Sequence, residues 1–236
     1  MKPGVQTISF REVATPWELC RGVQEAGFQA VELWTRHLER WPEIPAMLQD
    51  HGIAIAGLGI ARLGDPAEDA HWFDAAGALG AAYLCADFEA SSFPSRVAET
   101  AALARAAGVS IGLHNHGAPH WLGNARMLER FFQDAPEEFG LCLDTAWALD
   151  SREDPVAMIR RFDSRLLALH LKDFAFDQGR SPREVPLGNG GINLRAIIGE
   201  LRSLPFDGWC MIETETPAVN PADALRRLES ALSGNV

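Results

Sequence analysis

Four short stretches of this sequence place groups able to bind a cation or move a proton directly after an apolar run. They are His114-Asn115-His116, Leu143-Asp144-Thr145, Leu169-His170-Leu171-Lys172-Asp173 and Ile212-Glu213-Thr214-Glu215. A lone histidine in such a place is more often a satisfied core residue than a ligand, and an aspartate there needs a partner of some kind. Taken as a set they imply more. Two carboxylates and two imidazoles brought to one point would repel and desolvate one another unless positive charge sat between them, and a divalent cation is the simplest source. Mixed nitrogen and oxygen ligation suits Mn²⁺, Zn²⁺, Co²⁺ or Fe²⁺, whereas Ca²⁺ and Mg²⁺ prefer all-oxygen shells. The expectation is one ion per chain, held by Asp144, His170, Glu213 and a histidine of the 114–116 cluster.

Something must bring these stretches together, and the alternation of short apolar runs with helical patterns supplies it. Eight strand candidates follow one another: Gly4–Phe10, Ala30–Trp34, Ile53–Ala61, Tyr83–Phe88, Ser110–Gly117, Gly140–Ala148, Leu166–Phe174 and Gly208–Glu215. Between them lie helix candidates with ordinary punctuation. Thr15 precedes Pro16-Trp17-Glu18, an N-cap followed by proline at the first helical position, and several helices finish on glycine, at Gly27, Gly52, Gly80 and Gly108. Arg96–Ala107 carries apolar residues at helical spacing and reads as a cover helix. Strands buried on both faces and separated by helices imply a parallel sheet. Eight regular units favour closure into a (β/α)₈ barrel formed by residues 1–236 as a single domain. An open doubly wound sheet would predict G-x-G-x-x-G after the first strand, and none is there. In a barrel the polar strand ends converge on the catalytic face, because neighbouring parallel strands lie only about 4.8 Å apart.

Composition narrows the partners. A chain of 236 residues, 47% of them hydrophobic, can bury a large core, and its formal net charge of −11 with no Lys/Arg-rich run offers no grip on nucleic acid or an anionic membrane. The four cysteines form no C-x-x-C pair and read as buried free thiols. No apolar run approaches the roughly 18 residues that span a bilayer, and the N-terminus has no apolar leader, so a cytoplasmic protein is expected.

The strings GLHNHG, LCLDTAWA, LALHLKD, PLGNGGIN and GWCMIETE, in this order and spacing, resemble the xylose-isomerase-like barrel superfamily of sugar isomerases and epimerases, inosose dehydratases and endonuclease IV. The resemblance runs from about residue 30 to 228. It implies a metal bound by an acid on strand five, an Asp on strand six, a His on strand seven and a Glu on strand eight; the last three fall on Asp144, His170 and Glu213. On strand five this chain departs from the sugar isomerases, with His114 where they carry Glu. A His-rich strand-five end, and the TETPAVNP that follows Glu213, resemble the inosose dehydratases instead. His114, His116 or His120 can then supply the fourth ligand or a general base; His114 is favoured as ligand and His116 as base.

The function implied is a metal-dependent isomerase or epimerase acting through an enediolate on a keto or aldo sugar. The alternatives are an inosose dehydratase-like lyase expelling water from a keto-inositol or keto sugar, and a barrel that binds metal and sugar without turnover. Glu213 or His116 would remove the α-proton, and Lys172 would donate to an oxyanion or hydroxyl. Glu32, Trp34, His37, Asn115, Trp147 and Glu184 are candidate substrate contacts, Glu184 with a solvated surface position as the competing reading. Gly188-Asn189-Gly190-Gly191 could form a phosphate nest, although a tight loop explains the same glycines. An endonuclease would need more ligands and a basic surface. Barrels of this kind often pair as homodimers, and no segment marks an interface.

Overall fold

The computed structural model describes residues 1–233. Eight strands close a barrel: β1 (Lys2–Gln6), β2 (Ala30–Trp34), β3 (Ala54–Leu63), β4 (Tyr83–Phe88), β5 (Ser110–His114), β6 (Phe139–Asp144), β7 (Leu166–Leu171) and, last in the chain, β10 (Trp209–Ile212). All neighbours are parallel, and β1 completes the ring between β2 and β10. The expected barrel is therefore present. The long segment between the seventh strand and its helix adds a small antiparallel hairpin, β8 (Phe174–Phe176) with β9 (Pro182–Glu184).

Several strands end earlier than their apolar runs suggest, because a polar side chain at the end turns the backbone. The Gln6 side chain accepts the Ile8 N–H at 2.6 Å and starts a 3₁₀ turn at Thr7 instead of letting β1 run to Phe10. Asp144 Oδ1 accepts the Trp147 N–H at 2.8 Å, so Thr145–Asp150 is a helix although its Ala146-Trp147-Ala148 continues the apolar run.

Alternation along the strands sorts the side chains. On β6, Phe139, Leu141 and Leu143 join the large shell between barrel and helices, while Cys142 belongs to a small inner cluster with Ala30, Ala56, Tyr83, Cys85, Ala168 and Met211. The inner layers alternate large with small. A Cβ on Gly57 would lie 2.5 Å from the Tyr83 ring, and one on Gly4 would lie 2.5 Å from Met211 Sδ, so glycine at these two positions is the space that the larger side chains fill. All four cysteines are buried and free.

Outside the barrel, Thr15 and Glu18 form a reciprocal capping box on the helix Pro16–Glu25. The cover helix Val97–Ala107 ends on Gly108 at φ 69°, a left-handed position that glycine takes most cheaply. Among the described residues, no helix is long and apolar enough to cross a membrane.

Candidate metal centre

At the carboxyl ends of the strands, β5 delivers His114, β6 Asp144, β7 His170 and the residue after β10 Glu213. Register makes the convergence: Asp144 pairs with His170, and His170 with Met211, one inward position below Glu213. Ligand-type atoms of the four side chains all lie within 4.8 Å of one another, and all four residues are buried. His114 Nε2 is 3.7 Å from Asp144 Oδ2, and His170 Nδ1 is 2.8 Å from Glu213 Oε2.

Buried polar atoms are ordinarily hydrogen-bonded. Here Asp144 Oδ2, both ring nitrogens of His114, His170 Nδ1 and Glu213 Oε2 have no hydrogen-bond partner. His170 Nδ1 and Glu213 Oε2 approach without the alignment of a hydrogen bond, as two donors aimed at a shared third point do. Ligands about 2.0–2.2 Å from a common ion stand roughly 3.5 Å apart, so these residues fit a divalent cation of the zinc or manganese kind.

The remaining atoms of the same residues are held firmly. His170 Nε2 is 3.0 Å from Glu32 Oε2, which also accepts the Tyr83 hydroxyl at 2.7 Å, while Gln6 Nε2 donates to Glu32 Oε1 at 3.4 Å. A carboxylate facing Nε2 favours the ring proton there and leaves Nδ1 available to a cation. Asn115 turns away from the cavity: its amide accepts from Asp144 N–H at 2.8 Å and donates to Asp144 C=O at 3.0 Å, clamping the end of β6. Thr145 Oγ1 does the same for β7, donating to Lys172 C=O at 2.6 Å and accepting its N–H at 3.1 Å.

Lys172 donates to Glu213 Oε1 at 3.0 Å and pairs with Glu215, under Trp147 and Phe174 whose ring centres lie 5.5 and 5.7 Å from Nζ. Burial opposes its charge, yet Glu213, Asp144 and Glu215 together raise its pKa above the ordinary lysine value. For Glu213, burial pushes upward, but Lys172 and His170 outweigh it and hold the carboxyl well below the usual range. His116 stands beside His114 with ring centres 4.7 Å apart; burial first, then the neighbouring His114 and His120, push its pKa down to about 3, so it is a neutral ring with a lone pair.

The other expected contacts are scattered around this centre. Trp34 is half-buried at the end of β2, under Arg36. His37 is buried against Trp34 and Trp41 with Nδ1 3.1 Å from Thr7 Oγ1. Glu184 is not solvated: it is 8% exposed, accepts the Glu215 N–H at 2.9 Å, and burial raises its pKa to about 6. The glycine loop is already filled from within. Asp173 accepts from the N–H groups of Gly188, Gly190 and Ile192 at 2.9, 2.7 and 3.2 Å, so the chain's own carboxylate occupies the nest a phosphate would need. Sequence reasoning missed Tyr83, Gln6 and Thr145, single polar residues whose partners lie on other strands and become visible only with the register.

A family model, the xylose isomerase-like TIM barrel, matches residues 20–231. The inosose dehydratase of Lacticaseibacillus casei is 25% identical over 126 residues, which are 48% of this chain and 42% of that protein. The chain thus matches less than half the length of this relative. Among solved structures, a D-tagatose 3-epimerase-like protein superposes with a TM-score of 0.81 at 16% identity, covering 100% of this chain and 98% of the other. IOLI protein with a binding zinc atom gives 0.80 at 17% identity, with the same coverage. With the closed parallel barrel and the family model in agreement over most of its length, the chain belongs to the xylose isomerase-like TIM barrel family.

Proposed function

We propose that this chain is a single-domain, divalent-metal-dependent isomerase or epimerase of a small keto or aldo sugar, with His114, Asp144, His170 and Glu213 as the ligands of one Mn²⁺, Zn²⁺ or Co²⁺. The observation that carries the reading is the convergence of four buried side chains within 4.8 Å, with their facing atoms left without hydrogen bonds. An ion held there would act as a Lewis acid on a substrate carbonyl and its neighbouring hydroxyl, acidifying the proton on the adjacent carbon. His116 is assigned as the base on its position: it stands beside His114 with its ring free of side-chain hydrogen bonds, whereas Glu213 is engaged by Lys172. Returning the proton to the neighbouring carbon of the enediolate isomerises the sugar, and returning one to the same carbon on its opposite face epimerises it. Trp147 closes one wall over Lys172, and Trp34 offers an aromatic face from β2.

Dehydration of a keto-inositol or keto sugar is the second reading. It is favoured by the charged Lys172 beside the centre, which can hydrogen-bond a departing hydroxyl and offset its negative charge, and by His114 where a two-carboxylate proton shuttle would need a second acid.

Metal analysis of the purified protein tests the centre first. About one tightly held ion per chain is expected, absent from Asp144→Ala and His170→Ala; ion content unchanged in both variants would sink the assignment. Incubation of the loaded protein with keto sugars and inososes in ²H₂O then reads the chemistry. Exchange at the α-carbon, reduced about 10²-fold or more in His116→Asn, supports the base, and loss of the β-hydroxyl in the product selects dehydration. Tight metal binding with no exchange on any keto sugar would leave a binding barrel.

A further inference from the structure

We infer that Asp87, His116 and His120 form a second, weaker site for a borderline divalent cation such as Zn²⁺ or Co²⁺ at the mouth of the barrel. Asp87 is the penultimate residue of β4, inward-facing by alternation with Tyr83 and Cys85 below it. His116 and His120 lie on the loop that follows β5. Ligand-type atoms of the three residues are all within 4.8 Å of one another, and none belongs to the first centre. His120 Nε2 stands 3.0 Å from Asp87 Oδ1, yet this oxygen is buried and has no hydrogen-bond partner. The pair repeats the signature of His170 and Glu213: close approach without hydrogen-bond alignment.

The loop holds this geometry rigidly. Trp121 Nε1 donates to Phe88 C=O at 2.7 Å, tying the loop to the end of β4. Turns close from His120 N–H to Gly117 C=O and from Gly123 N–H to His120 C=O, both at 2.9 Å. A Cβ on Gly123 would lie 2.3 Å from Gly117 C=O, a closeness that only glycine allows. Three protein donors are one fewer than a closed four-ligand site supplies, so an ion here would keep water or a ligand oxygen in its remaining position.

Three features make this site the weaker of the two. It has one carboxylate against two, and its side chains are partly exposed, with Asp87 and His120 25% and 24% accessible. His120 Nδ1 also accepts the Leu122 N–H at 3.2 Å. Coordination through Nε2 puts the ring proton on Nδ1, facing that amide, so the ring must shift as it loads. A site poorer by one charge binds at least about tenfold more weakly.

The inference does not depend on the reaction proposed above, but it bears on it. An ion on His116 occupies the lone pair assigned there to the base, so filling the second site shuts off proton transfer that the first ion enables.

Equilibrium dialysis of the full chain against Co²⁺ and Zn²⁺ tests it, on the wild type and on Asp87→Asn, His120→Gln and Asp144→Ala, with far-UV circular dichroism confirming that each variant is folded. Two ions per wild-type chain are expected, the second at least about tenfold weaker. Asp87→Asn and His120→Gln should each keep the tight ion and lose the weak one; Asp144→Ala should lose the tight ion and keep the weak one. A single ion at saturation in the wild type, or a second ion retained by both Asp87→Asn and His120→Gln, overturns the second site. Two ions retained by Asp144→Ala would overturn the first centre alone.

Discussion

His170 shows how one side chain is divided between two tasks. One ring nitrogen faces the cluster without a hydrogen bond, and the other faces the Glu32 carboxylate, itself fixed by Tyr83 and Gln6. Glu32→Gln keeps the volume but removes the charge, and its amide would set an N–H₂ against the Tyr83 hydroxyl and His170 or against the Gln6 amide. Metal affinity is expected to fall roughly 10- to 100-fold with the fold intact, read by competition with a chelator of known affinity; an unchanged affinity would show that the ring needs no orienting carboxylate. Each candidate ligand was legible in the sequence as a polar residue ending an apolar run. The supporting shell was not. Glu32 could be singled out, but not its pairing with His170, 138 positions away, and Asn115 read as a substrate contact because the backbone groups it clamps carry no sequence signal.

At the scale of elements, most of the barrel strands were readable as runs of apolar residues between helical patterns; β1, Lys-Pro-Gly-Val-Gln, is the exception and lies earlier than the run from Gly4 to Phe10 suggests. The strand ends were less legible. Gln6 and Asp144 end strands through hydrogen bonds to the following turn, while Ala146, Trp147 and Ala148 look the same in sequence whether they extend a strand or open a helix. The hairpin of β8 and β9 has no sequence signature, because three-residue strands leave no periodicity, and its burial of Glu184 follows from nothing local. Inside the barrel, β3 depends on glycine. In Gly57→Ala the new methyl meets the Tyr83 ring at 2.5 Å, and that ring cannot swing aside while its hydroxyl is tied to Glu32. The expected cost is about 1–3 kcal/mol in urea unfolding, from overpacking; full stability would mean that the inner layer has slack.

For the whole molecule, an ion bound at the buried centre would couple its binding to stability. An ion present at about 100 times its dissociation constant adds about 2.7 kcal/mol if the unfolded chain does not bind it. For a chain of this size each kcal/mol moves Tm by about 2–4 °C, so thermal melts with and without chelator should separate clearly. Asp144→Ala should show no such shift at ion concentrations too low to fill the Asp87 cluster. The closed barrel itself was foreseeable from eight repeated units, whereas its interior depends on registers that composition does not record. The double duty of Asp144 has a consequence for how such a chain can change over generations. One of its oxygens caps the helix carrying Trp147 and the other faces the cluster, so replacing it disturbs architecture and chemistry together. Neither ring nitrogen of His114 holds anything else in place. Variation at that position therefore changes the set of donors without removing a hydrogen bond from the scaffold, and it is there that descendants of one barrel can most readily part ways.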